Sequence, residues 1–367
     1  MASEQTREGE LAALDSAGSE TQRKTHVNLG QRLYAWRAGL AMLAGLFILG
    51  LIPTIYDQIF GFSSGFQLHN LSMIGILIIA ALAQNILTGY AAQPSLGNAA
   101  FFGVSAYLLT WLTTDLNQPY WVGILLAVLA SALLGVIVGG PALRVSGTYL
   151  AIATLGLVTI AGALLNLWDT TAGRQDYQLN NLPAFLGDDH ALYYFVFIIV
   201  VILIFLVYHL LHARVGRAWI AIRDNETAAE AFGINLASYK LQAFVVSAVL
   251  TGLAGALYAT WAQTASSSMS SLDQTIAFLA MIVVGGLGSI TGSVLGAIFV
   301  GFIPILLGQL PSPLAVGSFQ IQVSILNTGI YGLLLLLALI FFPTGLSSLI
   351  GRGGNLLRRV GKRGGTQ

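Results

Sequence analysis

The chain contains no cysteine and very little charge. Its 367 residues include 16 Lys and Arg, 15 Asp and Glu and five His, so that charged residues make up only 8% of the sequence. Without cysteine there can be no disulfide, no thiolate nucleophile and no cysteine-ligated metal. The formal net charge of +1 says little about partners, and we expect no nucleic acid among them.

Titratable residues are missing from the interior of the long apolar runs. No candidate span contains Asp, Glu, Lys or Arg away from its ends, whereas catalysis inside a membrane needs such groups. We therefore predict that the chain is not an enzyme and binds neither a metal nor a cofactor. Proton-driven carriers usually keep a titratable residue near the membrane midplane, so proton coupling is not expected. A sodium-coupled carrier remains an alternative, because carbonyl groups of broken helices can hold sodium.

A phosphate-binding loop is missing as well. The segment 18–25, GSETQRKT, is similar to one, but Arg23 stands where a second glycine must bring backbone N–H groups to the phosphates. Nucleotide binding by this chain is therefore not expected, and energy supplied by a partner is the better prediction.

Apolar residues and glycine are abundant instead. Hydrophobic residues make up 56% of the chain and there are 42 glycines, a composition typical of an integral membrane protein. The predicted fold is all-α, a polytopic membrane protein of about ten transmembrane helices with interrupted Gly-rich segments, because a crossing needs about 20 mostly apolar residues. The pair of spans within 273–310 could instead be half-spans. The candidate spans lie near 38–56, 68–88, 98–114, 120–139, 147–167, 191–211, 241–261, 273–291, 293–310 and 322–342.

The distribution of Lys and Arg predicts the orientation of these spans. Cytoplasmic loops collect basic residues, and all of the 16 basic residues except Arg174 lie on one side of a ten-span arrangement. Both termini are therefore expected in the cytoplasm. Residues 1–30 have little apolar content and are predicted to be a disordered cytoplasmic tail, and residues 351–367 a basic cytoplasmic tail. Residues 31–350 would form the transmembrane permease domain, whose first apolar run has no small-residue cleavage site and is expected to be retained.

A polar island, residues 212–240, interrupts the apolar runs. Asp224 or Asn225 can cap the N-terminus of a short helix there. Glu226 would lie in the first turn, where the helix dipole favours an acid, and Gly233 can end the helix in the left-handed conformation. The alanines between them would let a partner approach closely, so we predict a cytoplasmic coupling loop. The predicted contact residues are Arg223, Asp224, Asn225, Glu226, Ala228, Ala229, Glu230, Phe232 and Gly233.

Glycines and polar residues also cluster at residues 88–103 and 284–301. Irregular backbone in a membrane is tolerated only where protein or a water-filled cavity satisfies its polar groups, and paired interruptions in the two halves of a chain indicate a transport pathway. Close helix packing through small residues is the alternative interpretation. The residues predicted to line or hinge the translocation pathway are Gln93, Ser95, Asn98, Gly285, Gly286 and Gly288.

Five motifs complete the sequence pattern. The longest, at 216–259, is GRAWIAIRDNETAAEAFGINLASYKLQAFVVSAVLTGLAGALYA. The others are GYAAQPSLGNAAFFGVSAY at 89–107, GTYLAIATLGL at 147–157, GGLGSITGSVLGA at 285–297 and PTGL at 343–346. Together the five motifs resemble a known family, the LivM-type permease subunits of ABC importers for branched-chain amino acids.

This resemblance implies an architecture and a set of partners. The chain would work in the lipid bilayer of a bacterial inner membrane with two cytoplasmic ATPase subunits, a homologous second permease subunit and an extracytoplasmic solute-binding protein. Its solutes would be branched-chain, apolar amino acids, and the short helix of the polar island would seat in a groove of the ATPase subunit. A permease for urea or short-chain amides is the alternative within the same class.

The chain departs from the family pattern in four places. Thr227 replaces the glutamate usual in the family's EAA loop, and Pro94 and Asn98 stand where Leu and His are frequent. TAGRQDYQL at 171–179 replaces a TGG-x-GL-like external segment. Pro94, Asn98 and the 171–179 segment bear on the solute rather than on the family.

Overall fold

In a computed structural model of the protein, the structure describes residues 65–142, 147–173 and 176–308, the short segments 314–316 and 319–321, and six positions between 332 and 346. All of these belong to the unit Gly65–Gln367. The helices are α1 (Gly65–Asn85), α2 (Asn98–Thr114), α3 (Tyr120–Ala142), α4 (Thr148–Thr171), α5 (Asp189–His212), α6 (Arg214–Asp224), α7 (Glu226–Ala231), α8 (Leu236–Ala262), α9 (Leu272–Gly285) and α10 (Ile290–Gly308). A π turn, Ile86–Tyr90, continues α1, and 3-10 turns lie at Ala184–Gly187 and Ser267–Ser270. Two antiparallel ribbons pair β1 (Tyr177–Gln178) with β2 (Thr264–Ala265) and β3 (Leu314–Val316) with β4 (Phe319–Ile321).

Helices α1, α2 and α8 form the core of the bundle. Helix α8 packs against α1, α2 and α3, and most side chains of α1 and α8 are buried. Small residues allow the close approach. A Cβ added at Gly255 of α8 would overlap the backbone of Phe102 in α2, and one at Gly252 would overlap Ser131 in α3. These contacts make α8 the central packing element of the described residues.

Helices α3, α4 and α5 lie around this core and turn large apolar side chains outward. Leu129, Leu164 and Phe205 are examples, each more than half exposed. An apolar surface of this extent is stable in lipid and not in water. Five helical stretches of the described residues are long and apolar enough to cross a membrane, so the protein is a multi-pass membrane protein. They are Leu68–Tyr90, Tyr120–Pro141, Thr148–Thr171, Asp189–His212 and Leu236–Ala262.

Helix α9 begins inside the bundle rather than at its end. Its 14 residues extend over about 21 Å, whereas the hydrocarbon core of a bilayer is about 30 Å thick. Before α9, residues 263–271 fold back between α2 and α4. A Cβ at Gly103 of α2 would lie 2.7 Å from the Ser270 Cβ, and the Ser270 hydroxyl donates to the Val158 carbonyl of α4 at 3.4 Å. The chain therefore re-enters the bundle between α8 and α9.

The two ends of the bundle differ. Helices α6 and α7 lie at one end, where α5 finishes and α8 begins, and the β1–β2 ribbon lies at the other, where α8 finishes. At the ribbon end the Trp261 indole N–H donates to the His69 carbonyl at 2.7 Å. His69 Nδ1 lies 3.1 Å from Asp189 Oδ1, which joins α1 to the start of α5.

The second to ninth spans predicted from the sequence each overlap an observed helix, and the eighth, 273–291, extends past the end of α9 at Gly285. Of these helices, five have the length and hydropathy of a complete crossing, so the number of ten is not confirmed. The spans predicted near 38–56 and 322–342 lie outside the continuously described residues, as do the predicted tails 1–30 and 351–367.

Candidate functional site: the coupling segment and the glycine turn

The coupling segment, residues 212–240, begins with an amphipathic helix that was not predicted from the sequence. This helix, α6, turns Trp219 and Ile222 toward the bundle. Trp219 is fully buried, and its indole N–H donates to the Tyr239 carbonyl at 2.9 Å. Because Tyr239 lies in the first turn of α8, α6 is anchored to the core of the bundle.

Helix α7, which follows α6 after one residue, is short and capped at both ends. Asn225 Oδ1 accepts a hydrogen bond from the Ala228 N–H at 2.9 Å, so Asn225 rather than Asp224 is the N-cap. Gly233 has a φ of 81°, and its N–H donates to the Glu230 carbonyl at 2.9 Å. The caps predicted from the sequence are therefore confirmed, and both satisfy helix-end groups that would otherwise need water.

The outer surface of α7 combines an aromatic ring with small side chains. Phe232 is 87% exposed, and Ala228 and Ala231 are exposed beside it. Ala229 is only 3% exposed and faces the body of this chain. An exposed aromatic residue among small neighbours is typical of a protein contact site.

Charged residues fix the position of α7. Lys240 Nζ lies 2.7 Å from Glu226 Oε2 and joins α7 to α8. Arg223 forms an ion pair with Asp224 at 3.3 Å. Arg223 Nη1 also donates to the carbonyl of Gly89 at 3.2 Å. Ion pairs at the surface contribute little to stability. The Lys240 pair therefore serves mainly to orient α7, and the Arg223 contacts hold the end of α6.

The pathway residues predicted in the first glycine cluster lie in or directly after a largely buried polar loop, residues 91–97. Gln93, Ser95 and Asn98 are all buried. Gln93 Nε2 donates to a backbone carbonyl near the start of α8 at 3.1 Å. The Ser95 hydroxyl accepts a hydrogen bond at 3.1 Å from the backbone N–H two residues further along the chain. Asn98 Nδ2 donates to the Ser247 hydroxyl at 3.1 Å. Within this chain they satisfy buried polar groups, and their part in a pathway stays a prediction.

The glycine turn, residues 286–289, connects α9 to α10. Gly286 has a φ of 118° and Gly288 a φ of 71°, which side-chain-bearing residues rarely adopt. Gly285 lets the two helices touch, because a Cβ there would overlap the backbone of α10. A Cβ at Gly288 would lie 2.8 Å from Arg223 Nη1. The predicted interruption is confirmed, and it lies beside the coupling segment.

An apolar cavity of about 880 Å³ lies between α2, α3 and α4. Phe101, Leu164 and Trp168 are among its lining residues, and the lining includes none of the six residues predicted for the pathway. The cavity and the predicted pathway are therefore separate features of the bundle.

Two adjacent amides at the end of α1 belong to the site and were missed in the sequence. Gln84 Nε2 donates to the Ser95 carbonyl of the polar loop at 2.7 Å. Asn85 Oδ1 accepts from the Gly288 N–H at 2.8 Å, and Asn85 Nδ2 donates to the Ser289 carbonyl at 2.9 Å. The sequence signal for them is a Gln-Asn pair inside an apolar run. Buried amides in a membrane need hydrogen-bond partners, so such a pair indicates polar contacts with another part of the chain.

Motifs from three distant parts of the sequence meet at the glycine turn. Gly89 contacts Gly288, and a Cβ at Gly345 would lie 2.7 Å from the Gly286 nitrogen. The Leu346 N–H donates to the Val284 carbonyl at 2.9 Å. A bundle of lipid-facing helices that carries an interrupted, polar interior and an exposed helix at one end has the architecture of a membrane permease.

Comparison with known proteins identifies the family of permeases to which the chain belongs. The sequence model of the family described as "Branched-chain amino acid transport system / permease component" matches residues 67–342. The chain belongs to this family. The description names the permease component of a transport system.

Several relatives match over most of the chain. The high-affinity branched-chain amino acid transport system permease protein LivM of Salmonella typhimurium is 30% identical over 281 residues, which cover 69% of this chain and 66% of the relative. LivM of Escherichia coli is 30% identical over 251 residues, covering 61% and 59%. The probable LivM of Methanocaldococcus jannaschii is 25% identical over 316 residues, covering 74% and 90%. The chain thus spans less than two thirds of the length of the two enterobacterial relatives. No solved structure matches it.

Proposed function

We propose that the chain is the transmembrane permease subunit of an ATP-driven importer and translocates branched-chain, apolar amino acids delivered by an external solute-binding protein. Its partners would be two cytoplasmic ATPase subunits, which hydrolyse ATP, and a homologous second permease subunit. Closure of the ATPase subunits moves α7, and the spans open first to the binding protein and then to the cytoplasm. The family description and the names of the LivM relatives support the solute class.

The observation that carries this proposal is the exposed, capped helix α7. A helix of six residues is not stable alone, so its caps and its ion pair to Lys240 hold a small surface in a fixed orientation. Phe232 at its end is 87% exposed, and burying such a ring against a partner gains about 1.5–3 kcal/mol. A sodium-coupled carrier needs no such contact, so an ATP-driven importer is favoured.

We further propose ten crossings, with both termini and the coupling segment in the cytoplasm of a bacterial inner membrane. The crossings would be the five long helices, α2, α9 together with the re-entrant residues 263–271, α10 and the spans predicted near 38–56 and 322–342. The basic residues support this orientation, since Arg214, Arg217, Arg223 and Lys240 all lie in the coupling segment.

Cysteine labelling tests the orientation in this cysteine-free chain. Ser238 and Gln178 are both exposed, at the α7 end and the ribbon end. A membrane-impermeant thiol reagent applied to intact cells should label Gln178→Cys and leave Ser238→Cys and Ser19→Cys unlabelled. Permeabilised cells should give labelling at all three positions. Labelling of Ser238→Cys in intact cells would overturn the proposed orientation.

Uptake by the complete importer tests the solute and the energy source. In proteoliposomes with the binding protein outside and the ATPase subunits exposed to enclosed ATP, we expect leucine uptake that isoleucine and valine compete for. A sodium gradient without ATP should drive none. Competition by urea or acetamide in place of the amino acids would establish the amide importer instead, and uptake driven by sodium alone would establish the carrier.

A further inference from the structure

Residues 84–93, named the hub here, lie between the coupling segment and the glycine turn. The hub consists of the last two residues of α1, the π turn Ile86–Tyr90 and the first three residues of the polar loop. A π turn widens a helix locally and occurs frequently at functional sites. The hub is thus an irregular piece of backbone at the point where two predicted functional regions meet.

On one side, the hub is bonded to residues that flank α7. Arg223 Nη1, at the end of α6, donates to the Gly89 carbonyl at 3.2 Å. Gln93 Nε2 donates to the Lys240 carbonyl at 3.1 Å. The same Lys240 holds Glu226 of α7 through its ammonium group. A displacement of α7 is therefore transmitted to the hub both through Arg223 before this helix and through Lys240 after it.

On the other side, Asn85 of the hub holds the glycine turn and the start of α10. Its Oδ1 accepts from the Gly288 N–H at 2.8 Å. Its Nδ2 donates to the Ser289 carbonyl at 2.9 Å and to the Ser293 hydroxyl at 2.7 Å. Asn85 is fully buried, so losing these bonds would leave partly buried backbone groups of the turn without this partner.

The hub and the glycine turn also touch directly. A Cβ at Gly89 would lie 2.5 Å from the Gly288 nitrogen, and a Cβ at Gly288 would lie 3.3 Å from the Gly89 oxygen. Interiors packed to this density do not compress, so a shift of one backbone displaces the other. Arg223, the hub and the turn therefore form one continuous chain of contacts.

We propose that the hub transmits the movement of α7 to the glycine turn. Asn85 is the positioning residue, because its hydrogen bonds make the turn move together with the hub. The proposal rests on the proposed function, because it takes ATPase docking at α7 as its starting point. The turn 286–289 is the moving element, and its two positive-φ glycines allow it to change conformation without side-chain clashes.

The accessibility of position 287 reports the conformation of the glycine turn directly. Leu287 is 54% exposed, and Leu287→Cys places a unique thiol in this chain. In proteoliposomes containing the complete importer, the rate at which N-ethylmaleimide modifies this chain should differ about fivefold or more between the ATP-free and the ATP-vanadate-trapped states, as expected for a shifted two-state equilibrium. Asn85→Leu in the same background should make the two rates equal and reduce leucine uptake about tenfold, while the ATPase subunits still co-purify.

Ser105→Ala is the matched control. The Ser105 hydroxyl is buried and donates to the Gly252 carbonyl across the α2–α8 contact, so the control loses one interhelical hydrogen bond far from the hub. It should keep the nucleotide dependence of Leu287→Cys. If Asn85→Leu does not assemble, Arg223→Lys tests the same link from the surface, because lysine lacks the guanidinium that reaches Gly89. Arg223→Lys should also reduce the nucleotide dependence of the labelling rate.

Two outcomes would overturn the hub proposal and leave the proposed function intact. One is a Leu287→Cys rate that does not respond to nucleotide in an importer that still takes up leucine with ATP. The other is a nucleotide dependence that survives in both Asn85→Leu and Arg223→Lys. If ATP drives no uptake in the parent importer, the proposed function itself fails.

Discussion

Phe232→Asp is expected to release the ATPase subunits and abolish ATP-driven uptake while the chain still inserts and folds. Phe232 is 87% exposed, so a carboxylate at this position disturbs little packing within the chain. Loss of an aromatic residue at the centre of an interface costs about 2–4 kcal/mol, which corresponds to an affinity at least about 30-fold weaker. Co-purification of the ATPase subunits with the tagged chain measures the binding, and leucine uptake in proteoliposomes measures the coupling.

Leu116→Asp is the control for this experiment. Leu116 is 46% exposed in the loop between α2 and α3, at the ribbon end of the bundle. The substitution introduces the same charge in place of an exposed apolar side chain, and the ATPase subunits should remain bound. Unchanged co-purification and uptake in Phe232→Asp would instead favour α7 as a helix that lies on lipid headgroups.

The alanines of α7 show why the structure is needed to choose variants. In the sequence Ala228 and Ala229 are equivalent small residues of a short helix. In the structure Ala228 is exposed, whereas Ala229 is 3% exposed and packs against the chain itself. Arginine at Ala228 would therefore extend into a docked partner, while arginine at Ala229 would first disrupt the seating of α7 on the bundle.

Local interactions could be predicted from the sequence. The Asn225 cap acts on a group three residues away and the Gly233 conformation ends the same helix, so both are encoded within ten residues. The second to ninth spans are likewise runs of apolar residues bounded by glycine or charge. Helix α6 could not be predicted in this way, because its apolar residues, Trp219 and Ile222 among them, form only a short run between Arg217 and Arg223.

Interactions between distant residues could not be predicted. Asn85 and Gly288 are 203 positions apart, and nothing in an apolar run marks which buried amide will meet which turn. Residues 263–271, QTASSSMSS, have the composition of an exposed loop. They enter the bundle because Gly103 and Gly162 leave room beside Ser270. Hydropathy cannot show such an entry. It also overestimates the length of α9, because the predicted span 273–291 continues through the glycine turn beyond Gly285.

Gly288→Leu is expected to reduce leucine uptake about 10–100-fold while the importer still assembles. The φ of 71° makes any side chain at this position strained by about 1–3 kcal/mol. Such a cost shifts a conformational equilibrium by about 5–150-fold, a range that includes the expected loss. The added side chain would also begin 2.8 Å from Arg223 Nη1 and 3.3 Å from the Gly89 oxygen. It would therefore separate the coupling segment from the turn. Leucine uptake and ATPase co-purification, measured on the same preparation, check both expectations.

Gly173→Leu separates backbone strain from loss of coupling. Gly173 has a φ of 64°, close to that of Gly288, but nothing lies within 4 Å of a Cβ built there. It follows α4 at the ribbon end of the bundle, away from the hub. The control variant carries the same strain without a collision, and its uptake should stay near that of the parent. If Gly288→Leu instead loses assembly in step with uptake, the glycine serves helix packing, and the interpretation of residues 285–288 as part of the pathway loses its support.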